Sequence, residues 1–254
     1  MSSDLMDALA DNERPTKRRR ISGFTVVGIL FLVVGLSFLG VYAYQYFGTN
    51  IVSEKAFAEE KNTLKQEWQT APPQQLGGQT GQGGQTGQAG QAGQGGQKPS
   101  AATEARIPGR AMGLLRIPRL GASYEVPIMT GTDPGTLARG VGWYESSVRP
   151  GQVGNFALAG HRVTHGEPFA RILELKKGDE VIVETREAVH TYVLDTSPAD
   201  LTVQDRDTWV LDPVPGKPGA PATQPIITLT TCQDLFHSAD RSVGFGHLAN
   251  TRNK

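Results

Sequence analysis

The chain has one cysteine among its 254 residues, and one thiol cannot close a disulfide within the chain. It has no excess of either charge. Its 25 basic residues balance 25 acidic ones, so no overall field favours nucleic acid, and none is expected as a partner. No single-sign block extends beyond Lys17-Arg18-Arg19-Arg20. No His-Glu-x-x-His is present, which removes the commonest helical zinc signature. His161 and His165 are four residues apart, a spacing that puts two ligands on one face only in a helix, and Gly166 follows them. Neither metal nor cofactor is expected. Finally, Ile21 to Phe47 contains no charged residue at all.

That uncharged run is the first thing present rather than missing. As a helix it is roughly 40 Å long, enough to cross a hydrocarbon core of about 30 Å with some tilt. A secretory signal has a shorter apolar stretch, about 7–15 residues, followed by a cleavage site of small residues. Here the distal end is Val41-Tyr42-Ala43-Tyr44-Gln45-Tyr46-Phe47, bulky and aromatic, which suits a membrane interface. The basic cluster ahead of it keeps the N-terminus inside. The expectation is a cytoplasmic tail (1–20), an uncleaved transmembrane signal anchor (21–47) and an extracellular remainder, with a cleaved signal peptide as the alternative. The protein is thus expected at the cell membrane as a single-pass chain.

Residues 48–70 are expected to form a juxtamembrane stalk. Phe57, Leu64 and Trp68 fall at helical offsets among Glu and Lys, against the alternative of a charged, partly ordered segment. Residues 71–104 are a Gly/Gln-rich tract built on a Gly-Gln-small triplet. It has too little apolar surface to offset its ordering entropy. As a flexible coil it spans about 30 Å, and it reads as a linker holding a domain off the membrane. The remaining residues, 105–254, have the size of one domain.

This domain reads as mainly β. Alternating runs occur at 113–117, 124–128, 155–159, 180–185, 191–194, 226–231 and 242–248, separated by Gly, Pro and Asp clusters. Such punctuation suggests a barrel or a sandwich. Pro168–Leu175 reads as a helix, with Phe169, Ile172 and Leu175 at three-residue spacing. Asp212–Pro225 holds five prolines and reads as a long loop placed to wall a cleft beside the cysteine.

The cysteine, Cys232, ends the run Ile226-Ile227-Thr228-Leu229-Thr230-Thr231. In an oxidising compartment spare thiols are normally paired. Cys232 is therefore a buried structural thiol, half of an intermolecular bridge, or a nucleophile. A nucleophilic thiol must ionise, from an unperturbed pKa near 8.5, with help from a base or a positive neighbour. His161 stands at the end of the apolar run Phe156-Ala157-Leu158-Ala159-Gly160, where a strand end fixes a side chain at a rim. Arg241 follows Cys232 by nine residues and opens the last strand. Its guanidinium suits a carbonyl or a developing oxyanion. The plain readings are a packing cysteine, a surface histidine and a solvated arginine, and spacing alone does not choose between them. Trp143 and Trp209 read as core aromatics, with Trp143 and Tyr144 also placed to line a groove. His237 and His247 read as surface or strand residues.

Leu158-Ala159-Gly160-His161-Arg162, Thr228-Leu229-Thr230-Thr231-Cys232 and Arg241, in this order behind an N-terminal anchor, resemble the sortases. These are the membrane-anchored cysteine transpeptidases of Gram-positive bacteria. The Thr-Leu-Thr-Thr-Cys form is most similar to the class E group of actinobacteria. Pro127–Gly131 and Gly140-Val141-Gly142-Trp143-Tyr144 are similar to that family's approach to the histidine strand. One departure is Asp234, where class E sequences often carry proline.

The resemblance covers roughly residues 108–250 and implies a closed β-barrel with one or two short helices. It implies that Cys232 is the nucleophile, His161 the acid/base and Arg241 the oxyanion or positioning residue, with Thr231 contacting substrate. It further implies cleavage of a C-terminal sorting signal of LPxTG or LAxTG type between Thr and Gly. The partners implied are secreted proteins bearing that signal and an amine acceptor on a peptidoglycan precursor or a pilin. The alternatives weighed are a tethered binding module with a buried thiol and an L,D-transpeptidase. The latter needs a Ser-x-Gly-Cys turn, which Thr-Thr-Cys does not supply.

Overall fold

The uncharged N-terminal run forms helix α1, Gly23–Ala43. None of its residues is buried, and it is long and apolar enough to cross a membrane. The computed structural model describes residues 22–70, 107–232 and 239–254. They fall into two units, Met1–Tyr44 and Gln45–Lys254. A π-helical turn, Tyr44–Gly48, follows α1.

The second unit begins with helix α2, Thr49–Thr70. Its strands are β1 (Ala111–Arg116), β2 (Glu125–Thr130), β3 (Val141–Trp143), β4 (Gly154–Gly160), β5 (Glu180–Glu184), β6 (Ala188–Leu194), β7 (Thr202–Gln204), β8 (Pro225–Cys232) and β9 (Asp240–Asn253). A four-residue helix, α3 (Pro134–Leu137), is capped by the Asp133 carboxylate. The sheet runs β6-β5-β1-β2-β3-β4-β8-β9, and pairing of β9 with β6 closes it into an eight-stranded barrel. The ninth strand, β7, pairs with the start of β9. Closure removes the free edges that an open sheet would expose.

Burial explains the local composition. Strands β4 and β8 run parallel, and parallel strands covered on both faces read as near-continuous apolar runs. Phe156, Ala157 and Leu158 are accordingly all fully buried, as are Ile227 and Leu229 on β8. The expected helix over 168–175 is instead a set of turns with a 3₁₀ turn at Ile172–Glu174. Phe169, Ile172 and Leu175 are all fully buried. Their three-residue spacing is the period of a 3₁₀ turn, which eclipses residues three apart.

The helix expected near 51–69 is present as α2, and its apolar positions seat on the barrel. Phe57 joins the main core. Leu64 packs with Ala111, Leu114 and Met129, with Trp68 beside it. Burying side chains of this size contributes roughly 1.5–3 kcal/mol each. Ion pairs flank the contact: Lys65 with Glu125, Glu67 with Arg110, and Glu60 with Arg139. Lys254 Nζ lies 4.0 Å over the Trp68 ring. The helix before the Gly/Gln-rich tract packs on the barrel that follows it. The tract itself lies outside the described residues.

Candidate active site

Three strand ends meet at one rim of the barrel. On parallel strands β4 and β8, Gly160 is the partner of Thr231. On antiparallel strands β8 and β9, Cys232 is the partner of Arg241. His161 follows Gly160 directly. Neighbouring strands lie about 4.8 Å apart, and opposed Cα atoms of an antiparallel pair lie about 4.5–5.5 Å apart. The backbones of His161, Cys232 and Arg241 therefore stand side by side although they are spread over 81 positions of sequence.

Two threonine hydroxyls fix this rim. Thr231 Oγ1 donates to the Gly160 carbonyl at 2.8 Å, and Thr230 Oγ1 donates to the Leu158 carbonyl at 3.1 Å. Both threonines are buried. The hydroxyl of Thr231, expected to contact substrate, is thus engaged in tying the cysteine strand to the residue before His161. The only sequence signal for Thr230 is the repeated threonine on a strand that also carries buried Ile227 and Leu229.

His161 opens the loop 161–169, whose ends are tied by the Phe169 N–H donating to the His161 carbonyl at 2.9 Å. The Phe169 ring lies over Gly160, where a Cβ would meet it at 2.6 Å. Only glycine admits that approach. Within the loop, His165 (φ 56°), Gly166 (φ 76°) and Glu167 (φ 47°) are consecutive left-handed residues. This backbone brings the His165 ring against the His161 ring, with centroids 4.7 Å apart and an interplanar angle of 26°. His165 Nδ1 pairs with Thr164 Oγ1 at 2.9 Å.

Burial, and secondarily the adjacent His165, push the His161 pKa down to about 4. Its Nε2 is buried, and among the described residues it has no hydrogen-bond partner. The result is a neutral imidazole holding an unused nitrogen at the rim. Leaving such an atom unpaired costs free energy, and a group that enters the site and exchanges a proton with it recovers that cost. The neighbouring Arg162 Nε is likewise buried with no partner among the described residues. Arg241 is half-buried, and its Nη1 donates to the Asp240 carbonyl at 3.1 Å.

The other expected positions divide. Trp143 is 1% exposed, and its Nε1 donates to Ser147 Oγ and the Val148 carbonyl. It is a core side chain with its polar atom satisfied, which corrects the expectation that it lines a groove. Tyr144 is half-buried, with its hydroxyl 3.4 Å from Thr230 Oγ1, near the end of the cysteine strand. His247 is at the surface, paired with Asp195. Asp234 and His237 lie outside the described residues.

The proline-rich loop is also placed differently from expectation. Residues 213–224 wall a cleft of about 450 Å³ with Ile226, Phe245 and Asp195. That cleft is at the start of β8, whereas Cys232 is at its end, roughly 20 Å away at about 3.3 Å per residue.

Comparison with known proteins identifies the family. A family model described as a sortase domain matches residues 115–249. Sortase SrtE1 of Streptomyces coelicolor is 30% identical over 238 residues, covering 89% of this chain and 57% of the relative. The chain thus spans just over half of that relative's length. Sortase SrtE2 of the same organism is 28% identical over 234 residues, covering 89% of this chain and 82% of the relative. Among solved structures, sortase E from Streptomyces avermitilis superposes with a TM-score of 0.52 at 38% identity, over 58% of this chain and 93% of that one. The SrtA sortase from Actinomyces oris gives a TM-score of 0.53 at 34% identity, over 58% of this chain and 84% of that one. With an eight-stranded barrel, the histidine and cysteine strands side by side, and a family match over more than half its length, the chain belongs to the sortase family of transpeptidases and is class E-like.

Proposed function

We propose that this sortase is a membrane-anchored cysteine transpeptidase that cleaves a C-terminal sorting signal of LPxTG or LAxTG type between Thr and Gly, with Cys232 as nucleophile, His161 as acid/base and Arg241 as the oxyanion donor. The observation that carries the reading is the register. It places Cys232 opposite Arg241 and one strand from the end of β4, where His161 begins its loop.

In the first step the Cys232 thiolate forms a bond to the Thr carbonyl carbon. The tetrahedral oxyanion is held by the Arg241 guanidinium. Its collapse breaks the C–N bond, and imidazolium His161 gives its proton to the leaving glycine amine. In the second step an acceptor amine attacks the thioester and loses a proton to His161. The Cys232 thiolate leaves, and an amide joins the sorted protein to the acceptor. The acceptor class is an amine on a peptidoglycan precursor or a pilin.

The ground state favours the neutral pair. With an unperturbed thiol near 8.5 and His161 near 4, the thiolate–imidazolium pair is on the order of one part in 10⁴–10⁵ of the neutral one.

Helix α1, preceded by the basic cluster, serves as the signal anchor with the barrel outside the cell. Tyr144 borders the peptide groove. The test is the full chain in detergent micelles, incubated with a library of sorting peptides and candidate amines, with product masses recorded. Cleavage between Thr and Gly with transfer to an amine supports the reading. Equal turnover by the Cys232→Ala chain removes it.

A further inference from the structure

The loop that carries His161 is gripped from outside the barrel by the first two turns of α2. Asn50 Nδ2 donates to Glu167 Oε1 at 2.5 Å, and Asn50 Oδ1 accepts from the Gly166 N–H at 2.9 Å. Ser53 and Phe57, three and seven residues further along the same helix face, are buried at 2% and 7% exposure. A Cβ on Gly166 would meet the Phe57 ring at 2.8 Å and Ser53 Cβ at 3.2 Å. One stripe of the helix is therefore occupied by residues 166 and 167 of the loop.

Those residues need a partner. His165, Gly166 and Glu167 are consecutively left-handed, a conformation disfavoured for side chains other than glycine and kept only where surroundings over-determine it. Asn50 bonds to two of the three, and Phe57 closes against the glycine. The same backbone presents the His165 ring to His161. The helix does not need the grip for its own docking. Its later turns are held independently by Leu64 in its apolar pocket and by the Lys65–Glu125 and Glu67–Arg110 pairs.

We propose that Asn50 and Phe57 are positioning residues for the reaction: they hold the 165–167 backbone so that His165 stays stacked on His161, making the helix that follows the apolar span a working part of the active site. This rests on His161 being the acid/base. It explains why a half-buried loop with strained backbone can hold an imidazole at a fixed place. Its consequence is that whatever breaks the grip of Asn50 and Phe57 on residues 166 and 167 alters catalysis without touching the cysteine, the histidine or the arginine.

The experiment uses the full chain in detergent micelles, comparing the parent with Asn50→Ala, Gly166→Ala, Glu67→Ala and Cys232→Ala. Two quantities are read: hydrogen exchange of the peptide spanning 162–168, and kcat and KM for a sorting peptide. Asn50→Ala is expected to speed exchange in the loop and lower kcat about tenfold, since misplacing a reacting group by about 1 Å costs up to about a hundredfold. KM is expected to stay within about twofold, because the lost contact is not made to substrate. Gly166→Ala, which pushes the loop off Phe57, gives the same pattern and serves if Asn50→Ala folds poorly. Glu67→Ala, which breaks a docking pair remote from the loop, leaves both quantities at parent values. The proposal is overturned if loop exchange rises while kcat is unchanged, if kcat falls with no change in loop exchange, or if neither moves. An active Cys232→Ala chain would instead remove the assignment of the reaction, whatever Asn50 does.

Discussion

Cys232 and Arg241 are direct partners across the antiparallel β8–β9 pair, although eight residues of chain separate them. The pairing places a permanently charged, forked donor one residue's width from the strand end that carries the thiol. Strand order adds the third member, because β4 lies on the other side of β8. The site is thus a product of register: a one-residue slip would turn alternate side chains to the opposite face.

Arg241 is expected to act through geometry as well as charge. Arg241→Ala should lower kcat by about 10²–10³-fold, the usual effect of removing an oxyanion donor. Arg241→Lys keeps the charge but loses the fork, and should recover only a small part of that loss. Steady-state kinetics on both variants decide this, and near-parent kcat in the lysine variant would contradict the forked role.

The pH dependence follows from the His161 environment. In the proposed mechanism the active form carries one proton on the Cys232–His161 pair, so kcat/KM is expected to fall in acid when the pair takes a second proton on His161. Burial and His165 push that event down to about 4, which places the acid limb near pH 4 instead of the unperturbed value of about 6.5. His165→Asn removes the neighbouring imidazole and part of the burial, and the limb should move upward. A kcat/KM profile from pH 3.5 to 9 on both proteins checks the sign. A parent limb near 6.5, or a downward move in the variant, would contradict it.

Thr231→Val removes the hydroxyl that donates to the Gly160 carbonyl while keeping its shape. Loss of a buried hydrogen bond costs about 0.5–1.5 kcal/mol, readable as a lower midpoint in urea. Because Gly160 precedes His161, kcat should fall as well, with KM changed less. Unaltered stability and unaltered kcat together would show that the hydroxyl does not tie the rim.

Much of this was legible in residue order. Seven strands announce themselves by alternation and by Gly, Pro and Asp punctuation, and α2 by the offsets of Phe57, Leu64 and Trp68. Cys232, His161 and Arg241 each sit at a strand end, so locating the strands locates them. What escaped depends on contacts distant in sequence. β3 is three residues long with glycine at its centre, and β7 is equally short; neither carries a period. The five-proline loop reads correctly as a loop, but nothing local tells which end of β8 it walls. Trp143 reads as a core aromatic or a groove residue, and only its burial, with its N–H taken by Ser147 and the Val148 carbonyl, decides for the core. Asn50 and His165 have no motif at all. Their significance arises only when a helix 116 positions away from Gly166 closes on a left-handed turn.

The central assignment is that Cys232 becomes acylated, and the most direct measurement is intact and peptide-level mass spectrometry of the full chain quenched in acid during turnover of a sorting peptide. The account predicts a mass increase equal to the acyl fragment ending in threonine, mapped to Cys232, removed by an added amine and absent from Cys232→Ala. Turnover by the parent chain with no adduct on Cys232 under any quench, or an adduct mapped to another residue, would contradict it.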